Sequence, residues 1–451
     1  MSAVSTATAS ERRPHPAASW RGRARWAPLV LATALLAYRA IRGILDKVGH
    51  PGAALDDAYI HFQYARAFAE GHPFRFQAGE PISTGATSFL WPILLAPFHA
   101  VGFRGEAILW PAWALSFVAL GALAHEAFAL ARPLAGRTAA IGAGLMVLAF
   151  GGFAWCAASG MEVVPFAWLI AFSTRKGVEW AEDEGRRTRR ALGMLVALAA
   201  LCPLMRPEGA LTSLALGAIV AVHPRRRDGA RPARFTLKDV DASRAAACAF
   251  VGAALLPNVL LFLLTGSATS STAQVKLLPG NPYYELPDAA LANARLLVGT
   301  ILDGEVWSAE FLPRGGAPLA CLGLAATAWR GHAAGRRVRA AMIILLALSM
   351  FVPCLYVTFL WNRLRYLWPF TTGWIIGLAC LARVVAALAS KIDARAGALG
   401  AALVTGGFAG MFAVRLEWVL EDVAQSASGI SRQQVALDHW AKTHLPADAR
   451  I

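Results

Sequence analysis

The sequence predicts an all-α polytopic membrane protein with about eleven transmembrane helices. Composition is the first reason: 57% of the 451 residues are hydrophobic, only 16% are charged, and the mean hydropathy is +0.49. Soluble domains of this size do not have such a composition. The second reason is that apolar segments recur along the chain. The third is that basic residues concentrate in alternate connections between those segments, as they do in membrane proteins.

Eleven apolar segments are interpreted as membrane spans, because each approaches or reaches the length needed to cross the hydrocarbon core. Two of them, 163–174 and 191–205, are short, so tilt, local thinning of the bilayer or extension at their ends must accommodate them. The eleven segments are 26–45, 107–130, 137–158, 163–174, 191–205, 209–222, 245–265, 315–329, 340–360, 367–386 and 397–414.

A twelfth apolar segment, 84–103, decides the topology. Pro92, Pro97 and His99 interrupt its apolar core, which is shorter than the roughly 20 residues of a span. If this segment stays on the outer surface, the cytoplasmic side carries 27 of the 43 basic residues and 10 of the 28 acidic ones. If it crossed, every later basic loop would move outside, against the positive-inside bias. The N-terminus is therefore predicted to lie on the cytoplasmic side and the C-terminus on the outer side.

This topology divides the chain into three parts. Residues 1–25 form a basic cytoplasmic tail, and the apolar run after them lacks a small-residue cleavage site, so it is an uncleaved first span. Residues 26–414 form the transmembrane domain, with a first external loop at 46–106 and a long external loop at 266–314. Residues 415–451 begin an external C-terminal segment that ends like a helix-to-strand junction, which we expect to be truncated.

Other classes of function lose support from the same observations. The net charge of +15 is explained by the cytoplasmic loops, so nucleic acid is not an expected partner. The six cysteines show no CxxC spacing, and the histidines of the outer side show no ligand spacing. Neither a disulfide framework nor a dedicated metal site is therefore expected.

The stretch 55–66 follows the first span and contains the adjacent carboxylates Asp56 and Asp57. Apolar residues then recur at helical spacing, so an amphipathic helix is predicted to begin at the acids. The pair could merely cap that helix. It could also place a reactive carboxylate over a lipid-embedded substrate. Tyr59 and His61 in this stretch, and Trp91 further on, are candidate substrate contacts.

Further polar residues fall at the outer ends of later spans. Each has an ordinary alternative: a solvated loop acid, a structural salt bridge, a surface lysine, or arginines that snorkel to lipid headgroups. Together they indicate a site at the outer lipid–water boundary, whereas a transporter would place ionisable groups near the bilayer midplane. They are Glu162, Arg206, Glu208, Lys276, Arg365 and Tyr366.

Paired carboxylates and basic groups at a membrane surface suit transfer from a lipid phosphate. Basic side chains would hold the phosphate at headgroup depth and stabilise it as it leaves. A carboxylate would take the proton of an incoming sugar hydroxyl. Carboxylates could also hold a divalent cation, although nothing in the sequence requires one.

The motifs that carry this chemistry resemble those of GT-C fold glycosyltransferases. The first-loop stretch Leu55–Arg66 is similar to the branch that contains the bacterial cell-wall terminal β-(1→2)-arabinofuranosyltransferases, and the resemblance runs over about residues 25–415. The other matching motifs are Glu70-Gly71-His72, Gly79-Glu80, Thr87–Trp91, Ser159–Glu162, Arg206–Gly209 and Arg365-Tyr366 with Pro369.

The resemblance implies a role for several residues. Asp56 or Asp57 would be the catalytic base, and residues 56–70 and 87–100 would be helices that lie along the membrane. Lys276 would correspond to a phosphate-binding lysine, although the residues before it depart from the family pattern. By the same resemblance, we expect most of the family's soluble C-terminal domain to be missing from this sequence.

The predicted function is an inverting glycosyltransferase in a bacterial inner membrane, with its active site facing the periplasm or exterior. It would move a sugar, arabinofuranose in the related branch, from a polyprenyl-phosphate donor to a cell-envelope glycan acceptor. Asp56 is the preferred base, with Asp57 orienting it or the acceptor. Two other hypotheses are a flippase of lipid-linked sugars and a non-catalytic scaffold for envelope assembly.

Overall fold

The computed structural model describes residues 26–83, 85–223, 237–303, 313, 315–330, 334–357 and 365–446. Within these ranges the regular structure is helical, apart from one isolated antiparallel bridge between Leu277 and Tyr356. The α-helices, in chain order, are α1 Ala27–Val48, α2 Asp57–Ala69, α3 Leu90–Ala100, α4 Leu109–Ala135, α5 Arg137–Ala149, α6 Gly151–Ala158, α7 Val163–Glu182, α8 Arg189–Met205, α9 Ala210–Val222, α10 Leu237–Thr265, α11 Ser271–Lys276, α12 Leu286–Asp303, α13 Gly316–Arg330, α14 Ala334–Leu348, α15 Thr371–Ala389, α16 Ala394–Ile430 and α17 Ala436–His444.

The helices confirm the predicted all-α membrane architecture. Each of the eleven apolar segments contains a helix of the bundle. In the part of the chain that the structure describes, six helices are long and apolar enough to cross a membrane. A seventh span results if α5 and α6, bent by 48° at their junction, cross as one unit. The total of eleven spans stays a prediction.

The segment 84–103 forms only the short helix α3. Its eleven residues rise about 17 Å along the axis, which is less than the hydrocarbon thickness of a bilayer. Pro97 lies inside the helix, and α3 packs against α2 rather than extending alone. This length agrees with the expectation that the segment is not a span.

The last long helix, α16, extends well past the predicted end of the transmembrane domain. It runs without a break through residue 414 to Ile430, and a π-helical turn at Ser431–Val435 joins it to α17. Arg39 pairs with Glu417 at 2.8 Å, and the Trp155 indole donates to Asp422 at 2.9 Å. The C-terminal segment is therefore continuous with the bundle and lies against its first helix.

Small residues set the closest approaches between helices. A Cβ on Gly323 would lie 2.2 Å from the carbonyl oxygen of Gly377, and a Cβ on Gly142 would lie 2.2 Å from Cβ of Thr405. Without a hydrophobic driving force between helices in lipid, such close backbone contact is a main source of packing energy. This packing fixes the helix ends, and the charged residues lie at those ends.

Candidate functional site

The turn between α6 and α7 positions Glu162. Gly160 has φ +85°, a left-handed conformation, and a Cβ there would lie 2.9 Å from Leu109 Cδ2. The indole of Trp91 donates to the Gly160 carbonyl at 3.1 Å, and that of Trp113 donates to the Ala158 carbonyl at 2.7 Å. Two buried indoles thus hold the turn and direct Glu162 into the protein.

The turn between α8 and α9 positions Arg206 and Glu208. Arg206 has an extended backbone at the end of α8, and Pro207 then starts a single 3₁₀ turn. A Cβ on Gly209 would lie 2.3 Å from the carbonyl carbon of Cys202, so the turn packs directly on the preceding helix. Both charged side chains are consequently buried rather than extended into solvent.

A short backbone pairing positions Lys276. The Leu278 amide donates to the Leu355 carbonyl, and the Val357 amide donates to the Lys276 carbonyl, both at 2.8 Å. The Asn293 side-chain amide donates to the Cys354 carbonyl at 3.0 Å. These bonds place the end of α11 beside the chain that leads toward Arg365.

Four side chains form what we call the inner group: His61, Glu162, Arg206 and Glu208. Arg206 donates to Glu162 at 2.9 Å and to Glu208 at 3.2 Å, and each of the three is at most 4% exposed. Nε2 of His61 lies 3.3 Å from the second oxygen of Glu162. Burial lowers the pKa of His61 below its ordinary 6.5, so its ring is neutral at pH 7.

Tyr366 joins this group to the next. The Arg206 guanidinium lies 5.1 Å from the centre of its ring, and the Arg365 guanidinium lies 5.2 Å from it. Its hydroxyl accepts a hydrogen bond from Arg365 at 3.3 Å. Tyr356 packs edge-on against the same ring at 5.3 Å. Two cations that would otherwise repel each other therefore share one aromatic ring.

The remaining charged residues form the outer group: Asp56, Asp57, Lys276 and Arg365. Arg365 donates to Asp57, and Lys276 Nζ lies 4.0 Å from the same carboxylate oxygen. Burial alone would raise the pKa of Asp57, but the charge and hydrogen bond of Arg365, helped by Lys276, hold it below its ordinary 3.8. Asp57 is thus a stable anion and a weak base.

Asp56 has a different environment from its neighbour. It caps α2, accepting from the Asp57 amide at 2.9 Å, and its other oxygen accepts from the Gln434 side chain at 3.3 Å. The side chain is exposed, and no basic side chain of the described ranges forms an ion pair with it. Of the two adjacent carboxylates, only Asp57 is neutralised.

Arg365 has unused hydrogen-bonding capacity. The residue is 1% exposed, and its Nε and Nη1 atoms find no acceptor among the residues that the structure describes. A buried donor without a partner costs about 1–3 kcal/mol, and more when it is charged. Either of these charged donors is suited to an oxygen of a bound anion.

The predicted site residues separate into two sets. Asp57, His61, Glu162, Arg206, Glu208, Lys276, Arg365 and Tyr366 lie in one connected cluster, which Asp56 borders. Tyr59 instead packs on Phe62, with ring centres 5.8 Å apart, and Trp91 is fully buried while it holds the Gly160 turn. Neither belongs to the connected cluster, and their predicted contact with a substrate stays a prediction.

Two contributors had no signal in the sequence. Tyr356 lies at the end of a predicted span and reads as an ordinary interfacial aromatic residue. Gln434 follows the last span by some twenty residues, and only the continuous helix α16 brings it to Asp56. Arg363, which neighbours a predicted site residue, lies outside the described residues.

Basic side chains lie beside the carboxylate of Asp57. Among the described residues, no three His, Cys, Asp or Glu side chains lie close enough together to hold a metal ion. Arg365 and Lys276 already occupy the positions beside Asp57 where such an ion would be needed. A further cation there would be repelled by both.

Comparison with known proteins gives a match in structure alone. No family model matches the sequence, and no curated protein matches it. ArnT from Cupriavidus metallidurans bound to undecaprenyl phosphate superposes with a TM-score of 0.54 at 13% identity, over 94% of this chain and 81% of that one. The apo form of that protein gives 0.55 at 13% identity, over 95% and 82%.

A second neighbour is larger. The Archaeoglobus fulgidus oligosaccharyltransferase in complex with Zn and sulfate gives a TM-score of 0.53 at 14% identity, over 93% of this chain. This chain spans only 55% of the length of that protein. Both neighbours are GT-C membrane proteins. The likeness over nearly all of the described helices shows that this chain has the GT-C fold.

Proposed function

We propose that this protein is an inverting glycosyltransferase that moves a sugar from a polyprenyl-phosphate donor to a cell-envelope glycan. The observation that carries the proposal is the outer group. Arg365 presents two buried, unpartnered N–H groups next to Lys276, and two carboxylates with different environments lie beside them. One cluster can thereby bind a phosphate, stabilise the charge that develops on the leaving group and supply a general base.

The donor phosphate would accept a hydrogen bond from one of the unpartnered nitrogens of Arg365, Nε or Nη1, and would attract Lys276 away from its long 4.0 Å contact with Asp57. Asp57 keeps its bond to the third nitrogen of Arg365, so the guanidinium stays oriented. Because a hydrogen bond from a guanidinium to a phosphate oxygen is charge-assisted, this arrangement gives both charge and direction.

The transfer itself is a single displacement. The acceptor hydroxyl loses its proton to Asp56 while its oxygen forms a bond to the anomeric carbon. The bond from that carbon to the phosphate oxygen breaks, and the electron pair leaves with the phosphate, where Arg365 and Lys276 stabilise it. Attack on the face opposite the leaving group inverts the anomeric configuration.

The two aspartates differ in the way that this scheme requires. Asp57 faces two cations, which hold its pKa below the usual range, so it is poorly suited to accept a proton. Asp56 has no cationic partner in the described ranges and is exposed toward an incoming acceptor. We therefore assign Asp56 as the base and Asp57 as the residue that positions Arg365 and Lys276.

The structural neighbours support this class of reaction, since one of them binds undecaprenyl phosphate and the other is an oligosaccharyltransferase. The first-loop motif at Leu55–Arg66 favours arabinofuranose as the first sugar to test. The positive-inside bias favours a bacterial inner membrane with the cluster on the outer side. Because two cations already neutralise Asp57, we propose that no divalent metal is needed.

The test is a transfer assay with the purified full chain in liposomes. A synthetic polyprenyl-phosphate arabinofuranose is offered with a simple arabinan acceptor, alongside other polyprenyl-phosphate sugars, with and without EDTA. We expect an inverted product with one of the donors, no loss of rate with EDTA, and no product from Asp56→Asn. Movement of the donor across the bilayer without transfer would instead identify a flippase. The absence of both transfer and movement with every donor in the wild-type protein would indicate a scaffold.

A further inference from the structure

A second polar cluster lies at the opposite end of the bundle. Helix α7 starts directly after Glu162, and its Arg175 and Glu179 lie about 18 Å and about 24 Å along its axis from Val163. There Arg175 pairs with Glu179 and with the buried Glu126 of α4, and Arg339 of α14 pairs with Glu182. This end carries the basic connections that the topology assigns to the cytoplasm.

A cavity of about 1430 Å³ opens beside this cluster. It exceeds the roughly 300–1,000 Å³ that is usual for small-molecule pockets. The start of α1, the end of α4, the length of α5 and the end of α7 enclose it. None of its lining residues belongs to the candidate glycosyltransfer site.

The wall of the cavity changes from charged to apolar along one helix face. On α5 the lining residues are Arg137, Ile141, Leu145 and Leu148, which recur at helical spacing over about 17 Å. On α4 the corresponding residues run from Arg132 at its end back through Phe128. Ile141 is 47% exposed and Leu145 is 51% exposed, so the apolar part is open on the side that would face lipid.

The charged end has surplus positive charge. Five arginines and three acids line it, the acids being Glu179, Glu182 and Asp183. Those acids are paired with Arg175, Arg339 and Arg186. Arg132 and Arg137 flank the tight turn at Gly136, are exposed, and form no ion pair with the described residues. They are the two cations free to meet an anion.

We propose that this cavity binds an anionic phospholipid of the cytoplasmic leaflet. Its headgroup phosphate contacts Arg132 and Arg137. One acyl chain lies along Ile141, Leu145 and Leu148. An unpaired basic pair at one end of a groove and an apolar wall 17 Å long match the two ends of such a lipid. A soluble anion would not contact the apolar wall. The inference does not depend on the proposed glycosyltransfer, because the two sites share no residue.

The test measures lipid binding to the delipidated full chain in detergent by native mass spectrometry, with phosphatidylglycerol and phosphatidylcholine of equal chain length. We expect phosphatidylglycerol to bind wild type much more tightly. Arg132→Ala combined with Arg137→Ala should weaken it about thirtyfold, roughly fivefold for each basic residue. Leu145→Trp, which fills the apolar part and keeps the charge, should also reduce binding.

The matched control is Lys391→Ala combined with Arg395→Ala. Both residues are exposed, lie on the same predicted membrane face and are absent from the cavity lining. This pair should bind phosphatidylglycerol like wild type, and thermal melts should show all variants folded. An equal loss of binding in the control pair would overturn the proposal, and so would equal binding of phosphatidylcholine. A wild-type protein that binds no lipid, because residues 1–25 or an acidic protein fill the cavity, would also overturn it.

Discussion

In the inner group, Arg206 divides its hydrogen bonds between Glu162 and Glu208, and all three side chains are almost completely removed from solvent. In the outer group, Asp57 and Lys276 keep 24% and 32% of their side chains exposed, Asp56 is exposed, and Arg365 leaves two donors unused. A buried charge is tolerated when an opposite charge pairs with it, as Arg206 does with Glu162 and Glu208, although Glu162 Oε2 and His61 Nδ1 accept or donate no hydrogen bond among the described residues. Unpartnered hydrogen-bond donors next to an exposed carboxylate are expected where a bound ligand supplies the missing acceptors.

We expect the inner group to contribute stability and the outer group to contribute catalysis. Substitutions can separate these two contributions. Variants of the inner group should alter unfolding, whereas variants of the outer group should alter catalysis in a protein that remains folded. The four predictions below follow the size of the expected effect.

The largest effect is expected for Asp56→Asn. The amide cannot accept a proton, so turnover should fall by roughly 10²–10⁴-fold while donor binding and folding persist. Asp57→Asn should lower turnover less and raise the donor KM, because Arg365 and Lys276 lose the carboxylate that orients them. Steady-state kinetics on both variants separate these effects.

The control for this pair is Asp46→Asn, an exposed acid that pairs with Arg42 near the end of α1 at 2.9 Å. It should retain wild-type kinetics. Wild-type turnover in Asp56→Asn together with an inactive Asp57→Asn would exchange the two roles.

The second effect concerns Arg206→Met in the inner group. The change leaves Glu162 and Glu208 buried without a cation, so the free energy of unfolding should fall by about 3–5 kcal/mol. Arg39→Met removes an ion pair with Glu417 whose side chains are 55% and 75% exposed. That control should cost no more than about 1 kcal/mol. Denaturant unfolding in mixed micelles measures both, and equal losses would remove the distinction between buried and exposed pairs.

The third effect concerns Arg365→Lys. Lysine keeps the charge and can still reach Asp57, but it lacks the guanidinium donors that we assign to the phosphate. The donor KM should rise roughly 10–100-fold, as expected for lost hydrogen bonds to a charged group, with a smaller change in kcat. Arg66→Lys, in an exposed pair with Glu70, serves as the control. An unchanged donor KM in Arg365→Lys would place the phosphate elsewhere.

The sequence was sufficient for the fold and for the convergence of the charged residues. Each of the turns after α1, α6 and α8 contributes a charge at the same end of the bundle, and alternating topology alone predicts that common end. Contacts within that end could not be predicted, because they depend on side-chain direction. The sequence alone gives no reason why Asp57 rather than Asp56 meets Arg365.

Packing also determined which aromatic residues face the cluster. The sequence makes Trp91 a candidate substrate contact, whereas in the structure its indole donates to the Gly160 carbonyl and the residue is fully buried. Tyr59 is two positions after Asp57, about 200° around the helix, and so faces away from the cluster. Gln434 reaches Asp56 only because α16 continues for 37 residues, a length that apolar periodicity ending near residue 414 did not indicate.

The smallest effect concerns His61, which contacts Glu162 at 3.3 Å and is buried. Burial lowers its pKa in the folded protein below the ordinary 6.5, whereas the unfolded chain has the ordinary value. As the pH falls below 6.5, His61 therefore binds a proton in the unfolded state but not in the folded state, and the free energy of unfolding decreases. The contribution of this one residue is at most about 1.4 kcal/mol per pH unit.

His61→Gln removes the titrating group from the same position. The variant should lose less unfolding free energy than wild type between pH 7.5 and pH 5.5, although it is less stable at neutral pH because its contact with Glu162 is altered. Unfolding curves at several pH values measure the slope for both proteins. If Glu162 instead kept His61 protonated in the folded state, wild type would gain stability on acidification and His61→Gln would abolish that gain. That result would mean that the inner group contains a protonated His61 paired with Glu162. The inner and outer groups could then no longer be assigned separate roles in stability and catalysis.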